Sequence, residues 1–152
     1  YLMNQVYLQN GGERMLNIKV KFFEGSIIEA LEGGIYQINM QVKNDQSEEK
    51  EKVLYIGQSY CRLIRGATHL YKLCRKPEYF GFTDEMLQDN KITLKFSCLD
   101  FPTNMKTANQ GDRRRAETKY VKTNHPLLQN GWGDRIRKDK NKAVMDFYEN
   151  LK

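Results

Sequence analysis

The sequence predicts an α+β domain built around a small antiparallel sheet. Residues 34–42, GIYQINMQV, put Tyr36, Ile38, Met40 and Val42 on one face at a period of two, the signature of a strand. A second apolar run, KVLYIGQ, follows after a polar and largely acidic segment, so the two runs make a hairpin. Stretches with helical spacing lie on both sides of a further alternating run, KITLKFSCLD, an order that fits helices packed on one sheet.

Taken in order, residues 13–23 (ERMLNIKVKFF) alternate enough for a strand, and GSIIEALEG reads as a short helix opened by Ser26 and closed by Gly33. The hairpin comes next, with residues 44–51 as a loop that has no apolar anchor. From Tyr60 to Arg75 the apolar positions Leu63, Ala67, Leu70 and Leu73 recur near every 3.6 residues, and Pro77 stops that helix. FTDEML predicts one helical turn capped by Thr83. Ile92, Leu94, Phe96 and Cys98 share a face of the next strand. NQGDRRRAETKYVKT is a clear helix running to the His125–Pro126 break, and the basic stretch beyond Gly133 predicts a surface helix.

At 152 residues the chain is long enough for one domain with a proper core. Its net charge of +6 favours polyanionic partners such as nucleic acid or anionic membranes. No run of about 18 apolar residues is present, so no membrane span is expected, and the N-terminus has no signal-peptide pattern. The chain opens on Tyr1 rather than methionine, which leaves a preceding segment open. Cys61, Cys74 and Cys98 are odd in number and widely spaced, which fits free thiols in a reducing cytoplasm better than a disulfide framework. With His69 and His125 the only histidines and no paired cysteines, a structural zinc site is not expected.

Several chemistry-bearing side chains fall close together in this scheme. Tyr36 and Tyr55 stand on adjacent strands, and Arg65 and His69, four apart, share a helix face just beyond the second strand. A helix start is a natural phosphate seat. Glu117 sits inside RRRAETKYVK, where basic neighbours keep a carboxylate ionised and able to bind a hard cation. An acid, two phenols, a guanidinium and an imidazole suit phosphodiester hydrolysis. Singly, each has an ordinary structural reading: packing for the tyrosines, solvation for the arginine, a surface ion pair for the glutamate.

Gly34-Ile35-Tyr36 and Tyr55-Ile56-Gly57 are the two tripeptides that name the GIY-YIG endonucleases, and residues 33–131 resemble that family. Arg65 stands where the family carries its catalytic arginine, His69 matches a histidine found in many members, and Glu117 matches the metal-binding glutamate. In NHPLLQN, Asn130 matches the family's asparagine. The resemblance implies a three-stranded antiparallel sheet flanked by helices, with residues 1–32 and 132–152 as accessory segments. It also implies DNA cleavage dependent on Mg²⁺ or Mn²⁺, with no small-molecule organic cofactor. Tyr36 would act on the attacking water as base or orienter, Tyr55 would position water or phosphate, and Arg65 would bind the scissile phosphate. His69 would add a phosphate contact or a proton relay, Glu117 would hold the metal, and Asn130 would brace the site. Where relatives often carry Asn-Leu, this chain has Cys61-Arg62; Arg62 is either a second phosphate ligand or a snorkelling surface side chain.

Arg113, Arg114, Arg115, Lys119 and Lys122 form one basic run, and Arg135, Arg137, Lys138, Lys140 and Lys142 another. Either is a phosphate-contacting surface or a solvated helix face, and the nuclease pattern favours DNA contact for at least one. The expected function is a DNA endonuclease, of restriction type or acting on DNA structure in repair or recombination. The rival readings are a catalytically inactive nucleic-acid-binding module and a basic protein-interaction domain. The oligomeric state is open, with a dimer required for concerted double-strand cutting at a palindrome.

Overall fold

The computed structural model describes residues 7–8, 14–99, 109–131 and 135–150. The architecture is α+β. Its elements are β1 (Tyr7–Leu8), β2 (Arg14–Met15), β3 (Lys19–Phe22), α1 (Ile27–Ala30), β4 (Gly34–Lys43), β5 (Glu49–Ser59), α2 (Arg62–Arg75), a 3₁₀ turn (Pro77–Phe80), α3 (Asp84–Leu87), β6 (Ile92–Leu99), α4 (Gln110–Asn124) and α5 (Lys140–Glu149). β1 and β2 pair with each other, and the main sheet has the order β3-β6-β4-β5.

β4 pairs antiparallel with both β5 and β6, as the hairpin pattern predicts. The expected three-stranded antiparallel sheet needs correction: β3 adds a fourth strand, parallel to β6, so the sheet is mixed. The hairpin loop is also shorter than expected. Glu49 and Glu51 belong to β5, where Glu49 faces Lys43 and Glu51 pairs with Lys95 across the sheet. The turn itself is closed by the Asn44 side chain, which accepts the backbone N–H groups of Gln46 and Glu48.

The register places Tyr36, Ile38, Met40 and Val42 opposite Cys98, Phe96, Leu94 and Ile92. That shared face forms the main core with Phe23, Leu54, Leu73 and Phe80. The other face carries a smaller cluster of Ile35, Ile56 and Val121, covered by α4. Helix α5 is more than a surface helix, because Val144 and Tyr148, one turn apart, are buried in the main core. Thr83 caps α3 as expected, and α4 starts in a capping box made by Asn109 and Asp112. All three cysteines are free, with Cys61 and Cys74 buried and Cys98 half-buried. Among the described residues no helix is long and apolar enough to cross a membrane.

Candidate active site

The site forms at the outer edge of the sheet, where β5 ends and the chain turns into α2. A cleft of about 240 Å³ is lined there by Tyr55, Gln58, Tyr60, Arg65, Arg113 and Glu117, among others. α2 brings Arg65 from one side, and α4 brings Arg113 and the buried Glu117 from the other. Arg113 is held by its Nε, which donates to Gln58 Oε1 at 3.0 Å.

Tyr36 lies directly behind this cleft with no exposed surface. The register sets Tyr36 opposite Gly57, and the reason for glycine there is steric. A Cβ on Gly57 would stand 2.3 Å from Tyr36 Oη and 2.5 Å from Cζ, far inside van der Waals contact. The second tripeptide therefore ends in glycine because the phenol of the first one occupies the space a side chain would need.

His69 Nε2 is 2.7 Å from Tyr36 Oη, and His69 Nδ1 is 3.2 Å from Tyr79 Oη. The ring also makes an edge contact with Tyr55. Burial, then Arg65 and Lys72, hold the His69 pKa down to about 3, so the imidazole is neutral at any ordinary pH. Burial pushes the Tyr36 phenol well above its ordinary value; Tyr55 adds to that, while the charge and hydrogen bond of Arg65 oppose it. Tyr36 is thus a protonated phenol at rest, with Arg65 as the neighbour able to favour its anion.

Of the residues predicted from sequence, Tyr36, Tyr55, Arg65, His69 and Glu117 come together here. Two do not take the expected parts. Asn130 is exposed, and the bracing belongs to its neighbour Gln129, which is 3 % exposed. Gln129 Oε1 accepts the Ile56 N–H at 2.9 Å and its Nε2 donates to Ile56 O at 2.7 Å. Because β5 is the sheet's edge strand, these groups lie open to the Gln129 amide, and the Leu127 and Leu128 N–H groups donate to Val53 and Leu54 in the same way. The correction for Arg62 is larger. Its side chain is 2 % exposed, and its three nitrogens donate to the carbonyls of Glu32, Ile35 and Glu29, leaving it turned inward rather than toward a phosphate. It ties α1 and β4 to the start of α2.

Arg114, Arg115, Lys119 and Lys122 are exposed along α4 beside the cleft, with Arg115 paired to Asp112. In the second basic run, Arg137 pairs with Asp139 and Lys142 with Asp146. Gln129 and Tyr79 are the residues that sequence reasoning missed. Tyr79 had one faint signal: Pro77 ends α2 and folds the chain back beside its last turns.

No protein-family model, no curated protein and no solved structure matches this chain.

The donor set at Glu117 fits a hard divalent ion. Among the described residues no three His, Cys, Asp or Glu side chains converge, so no closed cage is on offer. A single carboxylate in a polar cleft, beside arginines that attract phosphate, matches the way Mg²⁺ keeps waters and takes other ligands from its substrate.

Proposed function

We propose that this chain is a divalent-metal-dependent endonuclease of the GIY-YIG type that hydrolyses DNA phosphodiester bonds. The observation that carries the reading is the meeting of Arg65, Glu117 and Tyr55 in one cleft, with the Tyr36–His69 pair immediately behind it. Arg65 is exposed and receives the scissile phosphate; Arg113, clamped by Gln58, supports the same anion from α4. Glu117 would hold Mg²⁺ or Mn²⁺, which when bound would supply positive charge to offset that developing on the leaving oxygen.

Tyr36 acts on the attacking water. With no exposed surface, its hydroxyl meets water only when a neighbouring side chain moves. The Arg65 guanidinium stands beside that hydroxyl, and a phosphate bound to it would shift it enough to admit water while leaving its charge near the phenol. Substrate binding and the uncovering of the phenol are thereby one event. Tyr55 lines the cleft and packs against Tyr36 and His69, holding their rings in place. The exposed cations of α4 extend the positive surface along the DNA backbone and add affinity without sequence choice.

The test is cleavage of supercoiled plasmid with Mg²⁺, with Mn²⁺ and with EDTA, comparing wild type with Glu117→Gln. Metal-dependent cutting that Glu117→Gln abolishes is the expected result. Retarded but uncut DNA under all conditions would instead favour a binding module.

A further inference from the structure

We infer that Tyr79 is a positioning residue for Tyr36: it accepts the His69 Nδ1–H and so completes a proton path from the buried phenol, through the ring, to solvent. The use of this path in catalysis rests on the nuclease reading; the hydrogen bonds do not.

The two phenols cannot play the same part, because a neutral imidazole has one donor nitrogen and one acceptor. Burial decides between them. Tyr36 is fully enclosed, its hydroxyl lies 2.7 Å from the ring nitrogen, and the nearby Arg65 is a pure donor, so we take the ring rather than the more distant Tyr55 or Glu117 as the acceptor of the Tyr36 O–H. Nε2 therefore accepts from Tyr36, and Nδ1 carries the ring proton and donates to Tyr79 Oη, 3.2 Å away. Tyr79 is only half-buried, so its own O–H can reach water.

The turn that carries Tyr79 is fixed for this role. It follows α2 directly, its backbone carbonyl accepts the Lys140 Nζ from α5, and the ammoniums of Lys72 and Lys140 lie over its ring. None of the residues that carry the family resemblance lies between 70 and 116, so nothing in that resemblance assigns this tyrosine.

The path balances. The Tyr36 proton passes to Nε2 as the Nδ1 proton passes to Tyr79 Oη, and the hydroxyl proton of Tyr79 passes to water. Tyr36 is left as a phenolate facing Arg65, His69 is neutral in its other tautomer, and Tyr79 is again a phenol. The ring never stores the charge, in keeping with a site whose burial and neighbouring cations, Arg65 and Lys72, disfavour imidazolium.

Two readouts test this on the intact chain. Nitrogen-15 NMR of His69 in the wild type should show the Nδ1–H tautomer, with that proton shielded from exchange; Tyr79→Phe, which keeps the ring and removes one oxygen, should expose it to faster exchange. An Nε2–H tautomer, or unchanged exchange in the variant, would overturn the inference. In cleavage, Tyr79→Phe should cut kcat by about tenfold or more at unchanged KM and unchanged melting temperature; an unaltered kcat would overturn the relay. A wild type that cuts no DNA refutes the nuclease reading instead, and the NMR result then decides the path alone.

Discussion

Acidification to about pH 5 tests how completely the fold shields His69. The ring is 1 % exposed, sits between the Tyr36 and Tyr79 hydroxyls, and has its pKa held at about 3 against an ordinary 6.5. Between those values the unfolded chain binds a proton that the folded chain refuses, so stability falls as the pH falls. The loss is about 1.4 kcal/mol for each pH unit below the ordinary value, or about 2 kcal/mol at about pH 5. Urea denaturation followed by circular dichroism, at about pH 7.5 and about pH 5, measures it. Titrating carboxylates also contribute, so the informative quantity is the comparison with His69→Gln, which has nothing to protonate at this position. The variant should lose about 2 kcal/mol less on acidification than the wild type. Equal losses in the two proteins, or a His69 ring that titrates near its ordinary value in the folded wild type, would refute the shielding argument.

Gly57→Ala should drive its Cβ into the Tyr36 phenol, costing about 1–3 kcal/mol in chemical denaturation and lowering cleavage by on the order of 100-fold. Full stability with full activity would show that the ring has room to retreat. Gln129→Ala should cost about 2–4 kcal/mol because two backbone groups of Ile56 lose their partner, whereas exposed Asn130→Ala should stay within about 0.5 kcal/mol. Equal effects in the same urea titration would return the bracing role to Asn130. Arg62→Leu should destabilise by about 1–3 kcal/mol, since the buried Ile35 carbonyl and the part-buried carbonyls of Glu29 and Glu32 each lose a donor, yet leave DNA affinity of the folded protein unchanged in a gel shift. A loss of affinity without a loss of stability would put Arg62 back among the DNA ligands.

The hairpin and its tyrosines were legible because a period of two assigns faces directly. Tyr36 and Tyr55 fall on the core side with Ile38 and Met40. The ends of α2 and α4 were legible too, since Pro77 stops the one and the His125–Pro126 break the other. What stayed hidden depends on distant parts of the chain. The parallel docking of β3 on β6 joins residues more than seventy positions apart, and no local pattern encodes it. Arginine side chains rarely go inward, and Arg62 does so only because the carbonyls of Glu29, Glu32 and Ile35 converge on it. The exchange of Asn130 for Gln129 is a matter of one residue: after the Pro126 break the chain runs along β5, and position 129 is the one that faces its edge. The charged start of β5 hid its strand character, because an edge strand tolerates glutamates when lysines stand opposite.

On the proposed nuclease reading, the fold holds one buried phenol beside an arginine at the cleft where Glu117 would bind the metal. Single-turnover cleavage of a labelled duplex by Tyr36→Phe, at protein concentrations that saturate binding, tests it most directly. The expected result is a rate lower by about 100-fold or more with DNA affinity unchanged, since one oxygen is lost from the reaction and none from the DNA-facing surface. Cleavage at the wild-type rate would contradict the account and leave Tyr36 as packing alone.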